Sequence, residues 1–375
     1  MNCHKVFVAL FLIFYSITSI SAQVNSCQQT VSPWNYGTRL YYGSIFKYQH
    51  AQPLIGFSNL QGFDFFASKQ TYGNDSWSEY YRYPEIEIGI SAYRFDKHEV
   101  FGNMFSIGSI LKYNLLEKNK SSFTLSLGPA VNYATKVYDR EHNTANKAVS
   151  AHWNIEIRGN MNYRYNLNQK WKLIGSMTFR HVSNGGYKKP NQGQNFIMIG
   201  VGTVYTPQDI KVEYQESDPK YFKNRIRVHM MYNRGWKHMH SWMDYIDFIN
   251  AITISASKRI SNMNSIVLGL DGIYDSSTYN EYWWLYGKVN GQLDENYVND
   301  NRRAGLFGGI TFHFGNLSMY FNFGGYIYLP NLLSSYVYQK YGFTYHFFDH
   351  VFLHTCLLAH RGKADHLQFG LGFTI

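Results

Sequence analysis

The sequence predicts an all-β protein, a single antiparallel transmembrane β-barrel of about 14–16 strands. Three observations predict it: the composition, long segments of strict alternation, and connections that alternate in length. Aromatic residues make up 18% of the 375 residues and charged residues only 16%, and 31 glycines are present. This balance is typical of a barrel with a lipid-facing apolar band, aromatic girdles and a polar interior.

The clearest strand covers residues 151–165. Its odd positions are mostly apolar, whereas its even positions are polar and include charges of both signs. A soluble sandwich would show the same alternation, but its strands usually span about five or six residues. The greater length of this segment therefore favours a membrane barrel.

About sixteen such segments follow one another along the chain. We place them near 36–48, 60–70, 84–95, 103–116, 122–135, 150–165, 171–184, 194–206, 223–235, 248–259, 264–275, 303–315, 317–329, 337–347, 350–360 and 365–375. Short connections alternate with long polar ones, and in outer-membrane barrels the short turns are periplasmic. The loop after 171–184 is then extracellular. The connections near 71–83 and 207–222 are too long for periplasmic turns.

The N-terminus resembles an export signal. Lys5 precedes an apolar run from Val6 to Tyr15, and small residues follow up to Ala22. We expect residues 1–22 to be a cleaved signal peptide and 23–375 to form one barrel domain in the outer membrane. No later stretch reaches the roughly 18 consecutive apolar residues of a spanning helix. Cys27 and Cys356 allow one disulfide at most.

The formal net charge of +10 favours an anionic partner, either a surface such as lipopolysaccharide in the outer leaflet or nucleic acid. Clustered basic motifs are lacking, which argues against nucleic acid.

A candidate catalytic pair ends the strand 171–184. The odd positions from Trp171 to Phe179 are almost all apolar, and His181 and Ser183 continue that face. Side chains two residues apart on a strand point the same way. Histidine is the usual base for a serine nucleophile, so the pair predicts ester hydrolysis at a lipid-facing surface. Asn184, Asn191 and the backbone of Gly185-Gly186 are candidate oxyanion donors.

The group that would orient His181 is less obvious. Glu156 lies on the neighbouring strand, but on its polar, lumen-facing side. Asn195 shares the outward face of the following strand and is the natural neighbour of His181. An amide oxygen can accept the imidazole N–H, although it stabilises imidazolium less than a carboxylate does.

Residues 179–201, FRHVSNGGYKKPNQGQNFIMIGV, resemble the PagL-type lipid A 3-O-deacylases and, more closely, the acyloxyacyl hydrolases of Bacteroidetes. The resemblance covers about 71–205 and includes the ending at 359–365. It implies an outer-membrane barrel hydrolase with His181 and Ser183 as the catalytic pair and oxyanion donors at Asn184, Gly186 and Asn191. Where the family has its triad glutamate, this chain has Gln194 and Asn195.

The sequence is also compatible with two other functions. A barrel that has lost the triad acid could be a non-catalytic channel or structural protein, and the same pair could act on phospholipids.

No cofactor or metal is required. His229, His238, His240 and Asp244 are more simply explained by coincidence than by zinc. His152, Glu156, Arg158 and Arg164 are better explained by an ion-pair plug than by a transport path. Lys188 and Lys189 could contact lipid A phosphates, but solvated loop lysines are the simpler expectation.

Overall fold

The computed structural model describes residues 34–46, 58–73, 75–207, 214, 225–243, 245–287, 297–331 and 335–375. The expected signal peptide and Cys27 lie outside these residues, and Cys356 is buried and unpaired. Among the described residues no helix is long and apolar enough to cross a membrane.

All sixteen predicted strands form, each within a few residues of the expected bounds. They are β1 (Trp34–Ile45), β2 (Asn59–Gln70), β3 (Glu85–Phe95), β4 (Asn103–Lys118), β5 (Ser121–Ala134), β6 (Trp153–Asn166), β7 (Trp171–Ser183), β8 (Gln194–Tyr205), β9 (Ile226–Lys237), β10 (Asp247–Arg259), β11 (Asn264–Asp275), β12 (Arg302–Phe314), β13 (Leu317–Tyr328), β14 (Val337–His346), β15 (Val351–His360) and β16 (Lys363–Thr374). Short helices span Ser76–Tyr80, His98–Phe101 and Thr278–Tyr282.

The strands close as two barrels, and the prediction of a single barrel was wrong. β8 pairs with β1, which closes an eight-stranded antiparallel barrel, and β16 pairs with β9, which closes a second one. Alternation within a strand does not reveal which edges meet, so it cannot distinguish one closure from two. The connection near 207–222 fitted no short turn because it joins two closed barrels.

The interior of the first barrel is filled by charged side chains that neutralise one another. The Arg39 guanidinium donates to both carboxylate oxygens of Glu87, at 2.8 and 2.7 Å. The Lys112 ammonium lies 2.7 Å from Glu87 and 3.1 Å from Glu85, which also accepts from Arg164 at 2.9 Å. Eight strands enclose a space that side chains can fill. The interior is therefore a packed polar core.

A second group of charges lies further along the same interior. Glu156 accepts from Arg158 at 2.8 Å and lies 3.4 Å from Arg180. The Asn132 amide also donates to it, at 3.0 Å. The expected ion-pair plug is present at Glu156, Arg158 and Arg164, whereas His152 is exposed and outside it.

The long-loop end of the first barrel is closed by an apolar cluster. Phe95, Val182, Phe196 and Met198 are at most 1% exposed and pack with the loop residue Val149. Val182 and Phe196 alternate with His181 and Asn195 along β7 and β8. Because successive strand side chains point to opposite faces, burying the first two inside turns the other two outward.

The second barrel is built in the same way. Lys340 donates to Asp271 at 2.7 Å, and the Tyr338 hydroxyl donates to the same carboxylate at 2.8 Å. At the other end of the barrel, Lys237 lies 2.7 Å from Asp365. Residues 185–189 belong to this compact unit, and the Lys189 backbone N–H donates to His238 Nδ1 at 3.0 Å.

The interior charges predict a stability effect. Glu87→Gln removes the carboxylate that Arg39 and Lys112 share and leaves them Asp64 at 3.6 Å and Glu85 at 3.1 Å. We therefore expect a loss of about 1–3 kcal/mol in unfolding free energy. Urea unfolding in detergent, followed by the gel-mobility shift between folded and heated forms, measures it. Glu117→Gln is the matched control because Glu117 is exposed at a strand end. Equal stability of the two variants would contradict the role given to the ion pairs.

Candidate active site

The pair predicted from the sequence lies on the outward face of the first barrel. Along β7 the odd positions point outward, and Met177 and Phe179 are 51% and 43% exposed. The even positions Arg180 and Val182 are fully buried. His181 and Ser183 continue the outward row and are partly buried. Both side chains therefore face the surroundings of the barrel, at its long-loop end.

His181 has a defined neighbour on the next strand. It lies opposite Asn195 in the register of β7 and β8, and its Nδ1 is 2.6 Å from Asn195 Oδ1. An amide oxygen only accepts, so Nδ1 carries the proton and, in the neutral ring, Nε2 is the basic nitrogen. Among the described residues no carboxylate is hydrogen-bonded to this imidazole.

Gln194 does not share this role. It is 1% exposed, pairs with Val182, and neither end of its amide has a hydrogen-bond partner among the described residues. Adjacent residues of a strand point to opposite faces. Asn195 faces outward, so Gln194 faces the interior and does not reach His181.

Ser183 is held by the loop that precedes β8. The Asn191 side-chain amide donates to Ser183 Oγ at 2.9 Å, and its Oδ1 accepts the Asn184 backbone N–H at 3.1 Å. The Asn184 side chain donates to Ser150 Oγ at 3.2 Å. Asn191 is thus the predicted oxyanion residue that contacts the serine, and Asn184 supports it. The sequence carried no signal for Ser150.

Left-handed glycines shape the same loop. Gly185, Gly186 and Gly193 have φ of +67°, +90° and +75°, values that L side chains rarely adopt. A methyl group on Gly193 would lie 2.9 Å from His181 Cε1. The missing side chain therefore leaves room for the imidazole. Sequence reasoning missed Gly193, although a glycine two residues before Asn195 was the available signal. Gly186 lies within 185–189, which belong to the second unit.

The other lysines, histidines and the aspartate singled out in the sequence do not form one cluster. Lys188 is exposed, whereas burial lowers the pKa of Lys189. His238 Nε2 donates to the Met243 carbonyl at 2.7 Å, and His240 stacks on Trp242. His229 lies near the opposite end of β9, and Asp244 is outside the described residues. In the part of the chain that is described, no group of three or more His, Cys, Asp or Glu side chains could hold a metal ion.

The first barrel thus carries a histidine and a serine side by side on the outward face of one strand. Residues 19–204 match the family model described as "Lipid A 3-O-deacylase (PagL)". Residues 226–375 match the model described as "Acyloxyacyl hydrolase, C-terminal domain". The chain belongs to this lipid A 3-O-deacylase family. It is therefore an outer-membrane hydrolase, as the sequence predicted. The two matches coincide with the two barrels.

Several solved structures of outer-membrane barrels are similar at low scores. Neisserial surface protein A is 11% identical, with a TM-score of 0.33, over 46% of this chain and 96% of its own. The NalP translocator domain of Neisseria meningitidis is 8% identical, with a TM-score of 0.22, over 99% and 96%. The Pseudomonas putida toluene transporter TodX is 9% identical, with a TM-score of 0.18, over 92% and 88%. No curated protein matches the chain.

The contact at Gly193 predicts that Gly193→Ala lowers deacylase activity. The new methyl group would displace the imidazole from Asn195, and a shift of about 1 Å costs on the order of 10²-fold in rate. Release of acyl chains from purified lipid A in detergent measures it. Gly175→Ala is the matched control, because Gly175 lies on the outward row of β7 with nothing within 4 Å of an added methyl group. Unchanged activity of Gly193→Ala would show that the imidazole is not confined here.

Proposed function

We propose that this protein removes an ester-linked acyl chain from lipid A through a serine–histidine mechanism centred on His181 and Ser183. The observation that carries the proposal is the 2.6 Å hydrogen bond between His181 Nδ1 and Asn195 Oδ1 on the outward face. It selects the tautomer whose Nε2 can accept a proton, two positions from a serine. A base and a nucleophile on the lipid-facing wall suit a substrate that resides in the membrane.

In the first step Ser183 Oγ attacks the acyl carbonyl carbon while His181 Nε2 takes the hydroxyl proton. The sugar hydroxyl then leaves and takes this proton from the imidazolium. Water hydrolyses the acyl–serine ester in the second half of the reaction, with His181 again acting as base. The acid is released and the serine is restored.

The oxyanion needs donors beside the attacked carbonyl, and Asn191 supplies the best supported one. Its amide already lies 2.9 Å from Ser183 Oγ, close to where the carbonyl oxygen becomes charged. Asn184 keeps this amide in place through its backbone N–H.

The surroundings of the pair suit an acyl chain. Ile157 lies opposite His181 on β6, and Ile199 and Val201 extend the Asn195 row along β8. These three side chains are 46%, 67% and 69% exposed and form an apolar surface beside the site. An acyl chain can pack along them while its ester reaches Ser183. The filled interior of the first barrel disfavours the channel alternative.

Ser183→Ala tests the proposal. Lipid A from cells that express the wild-type protein should lose one acyl chain by mass spectrometry, and lipid A from cells with the variant should keep it. Ser121→Ala is the matched control, because Ser121 lies at the short-turn end of β5 and bonds only Tyr163 among the described residues.

Three outcomes contradict the proposal in different ways. Deacylation by Ser183→Ala at the wild-type rate rules out the serine. Unchanged lipid A in every strain, together with ion conductance in planar bilayers, favours a channel. Release of lysophospholipid instead of lipid A fragments favours a phospholipase.

A second experiment tests the orienting role of Asn195. Asn195→Asp keeps the geometry of the contact and adds the charge that stabilises imidazolium, so the turnover number should rise by about tenfold or more. Asn195→Leu removes the acceptor and should lower it. Asn250→Asp places the same charge on the outward face of β10 and should leave turnover unchanged. Equal turnover of Asn195→Asp, Asn195→Leu and wild type would exclude the contact from the mechanism.

A further inference from the structure

The second barrel contains a cavity of about 460 Å³ at its short-turn end. The turn residues Gly315, Asn316 and Asp349 form part of its wall, together with interior side chains of seven strands, β9 to β15. None of the residues proposed for ester hydrolysis lines it. The cavity is therefore a feature of the second barrel alone.

Three guanidinium groups line this cavity. Arg225 and Arg227 occupy successive inward positions where β9 begins. Arg227 lies opposite Ser257 in the register with β10, and Arg259 is the next inward residue after Ser257. The register thus brings three like charges to neighbouring positions at one end of the barrel. Like charges on adjacent strands repel and destabilise the sheet.

Two of these arginines, Arg225 and Arg227, have no neutralising partner in the described part of the chain. Asp349 is the one carboxylate in the cavity wall, and Arg225 and Arg227 form no ion pair among the described residues. Lys340 also reaches the cavity, but Asp271 neutralises it at 2.7 Å. Among the described wall residues, Arg225 and Arg227 therefore contribute positive charge that an anion would neutralise.

Histidines and hydroxyl groups provide further donors in the cavity wall. His229 is bonded through its two nitrogens to Thr374 Oγ1 at 2.8 Å and to Ser257 Oγ at 2.7 Å. His313 is bonded in the same way to Ser265 at 2.8 Å and Ser318 at 3.0 Å. A neutral imidazole donates through one nitrogen and accepts through the other. One hydroxyl at each ring therefore accepts and keeps its own O–H free to donate. At His313 this hydroxyl lies in the cavity wall whichever serine it is, because Ser265 and Ser318 both line the cavity.

The interior of the second barrel is packed on the side of the cavity that faces away from the short turns. Phe307 and Tyr338 are 3% and 0% exposed and belong to the buried apolar cluster of this barrel. The Lys340 ammonium lies 4.4 Å from the centre of the Phe307 ring. A cavity that ends at such packing suits binding better than conduction.

We propose that this cavity binds a phosphate group, carried either by a free solute or by a lipid headgroup. Arginine forms paired hydrogen bonds with phosphate oxygens, and phosphate has enough charge and acceptors to engage several guanidinium groups at once. The proposal is independent of the hydrolytic function of the first barrel. It assigns a recognition role to the second.

Titration of the purified full-length protein with inorganic phosphate, followed by calorimetry in zwitterionic detergent, tests the site. Wild type should bind saturably, and Arg227→Gln and Arg259→Gln should each weaken binding at least about tenfold. Arg234→Gln is the matched control because Arg234 lies on β9 but faces outward over Phe248. Wild-type affinity in Arg227→Gln, or equally strong competition by chloride, would overturn the proposal.

Thermal unfolding separates a binding role from a structural one. Phosphate should raise the melting temperature of wild type but not of Arg227→Gln. Without phosphate, the variant should melt at or above the wild-type temperature because repulsion is relieved. A variant that melts lower under both conditions, with an unchanged response to phosphate, contradicts the proposal.

The source of the phosphate is found by competition. Phosphatidylglycerol nanodiscs that abolish phosphate binding, where phosphatidylcholine nanodiscs do not, identify a headgroup. Undiminished phosphate binding in both kinds of nanodisc identifies a free solute. Absence of saturable phosphate binding in detergent and in both nanodiscs would refute the site.

Discussion

Closure of the hydrogen-bond ladder is the constraint on which the rest of this structure depends. A strand edge left open in a bilayer exposes backbone groups that nothing else can satisfy, so a membrane sheet must pair its last strand with its first. Here β8 meets β1 and β16 meets β9. Eight strands leave a narrow interior, which charged and aromatic side chains fill. The burial of Val182 and Phe196 inside the first barrel is what turns His181 and Asn195 outward.

The strands of the barrel wall fix the positions of His181 and Asn195 in the candidate site. The loop before β8 supplies the groups that contact the serine and make room for the imidazole. Register places an amide acceptor 2.6 Å from the imidazole where a related triad would have a carboxylate. An amide sets the tautomer but contributes no charge, so it favours orientation over stabilisation of imidazolium. The loop adds Asn191 at the serine and a side-chain-free Gly193 at the imidazole. The site therefore combines strand register with left-handed turns.

The strands and the outward position of the candidate site could be predicted from the sequence, because strand alternation has a period of two. That period located all sixteen strands, assigned His181 and Ser183 to the apolar face, and identified Asn195 as the neighbour. Closure could not be predicted, since β8 has the same pattern whether it pairs with β1 or β9. The bridge from Asn191 to Ser183 depends on loop conformation. The arginine cluster of the second barrel depends on the register between β9 and β10. Neither leaves a periodic signal.

The central claim is that His181 activates Ser183 as a nucleophile on the outer wall of the first barrel. Reaction with a lipophilic fluorophosphonate, followed by intact-protein and peptide mass spectrometry, tests it most directly because the reagent labels only activated serines. The account predicts one adduct per chain, located on Ser183 and absent from His181→Ala. A folded wild-type protein that stays unlabelled, or that is labelled equally in His181→Ala, would contradict it.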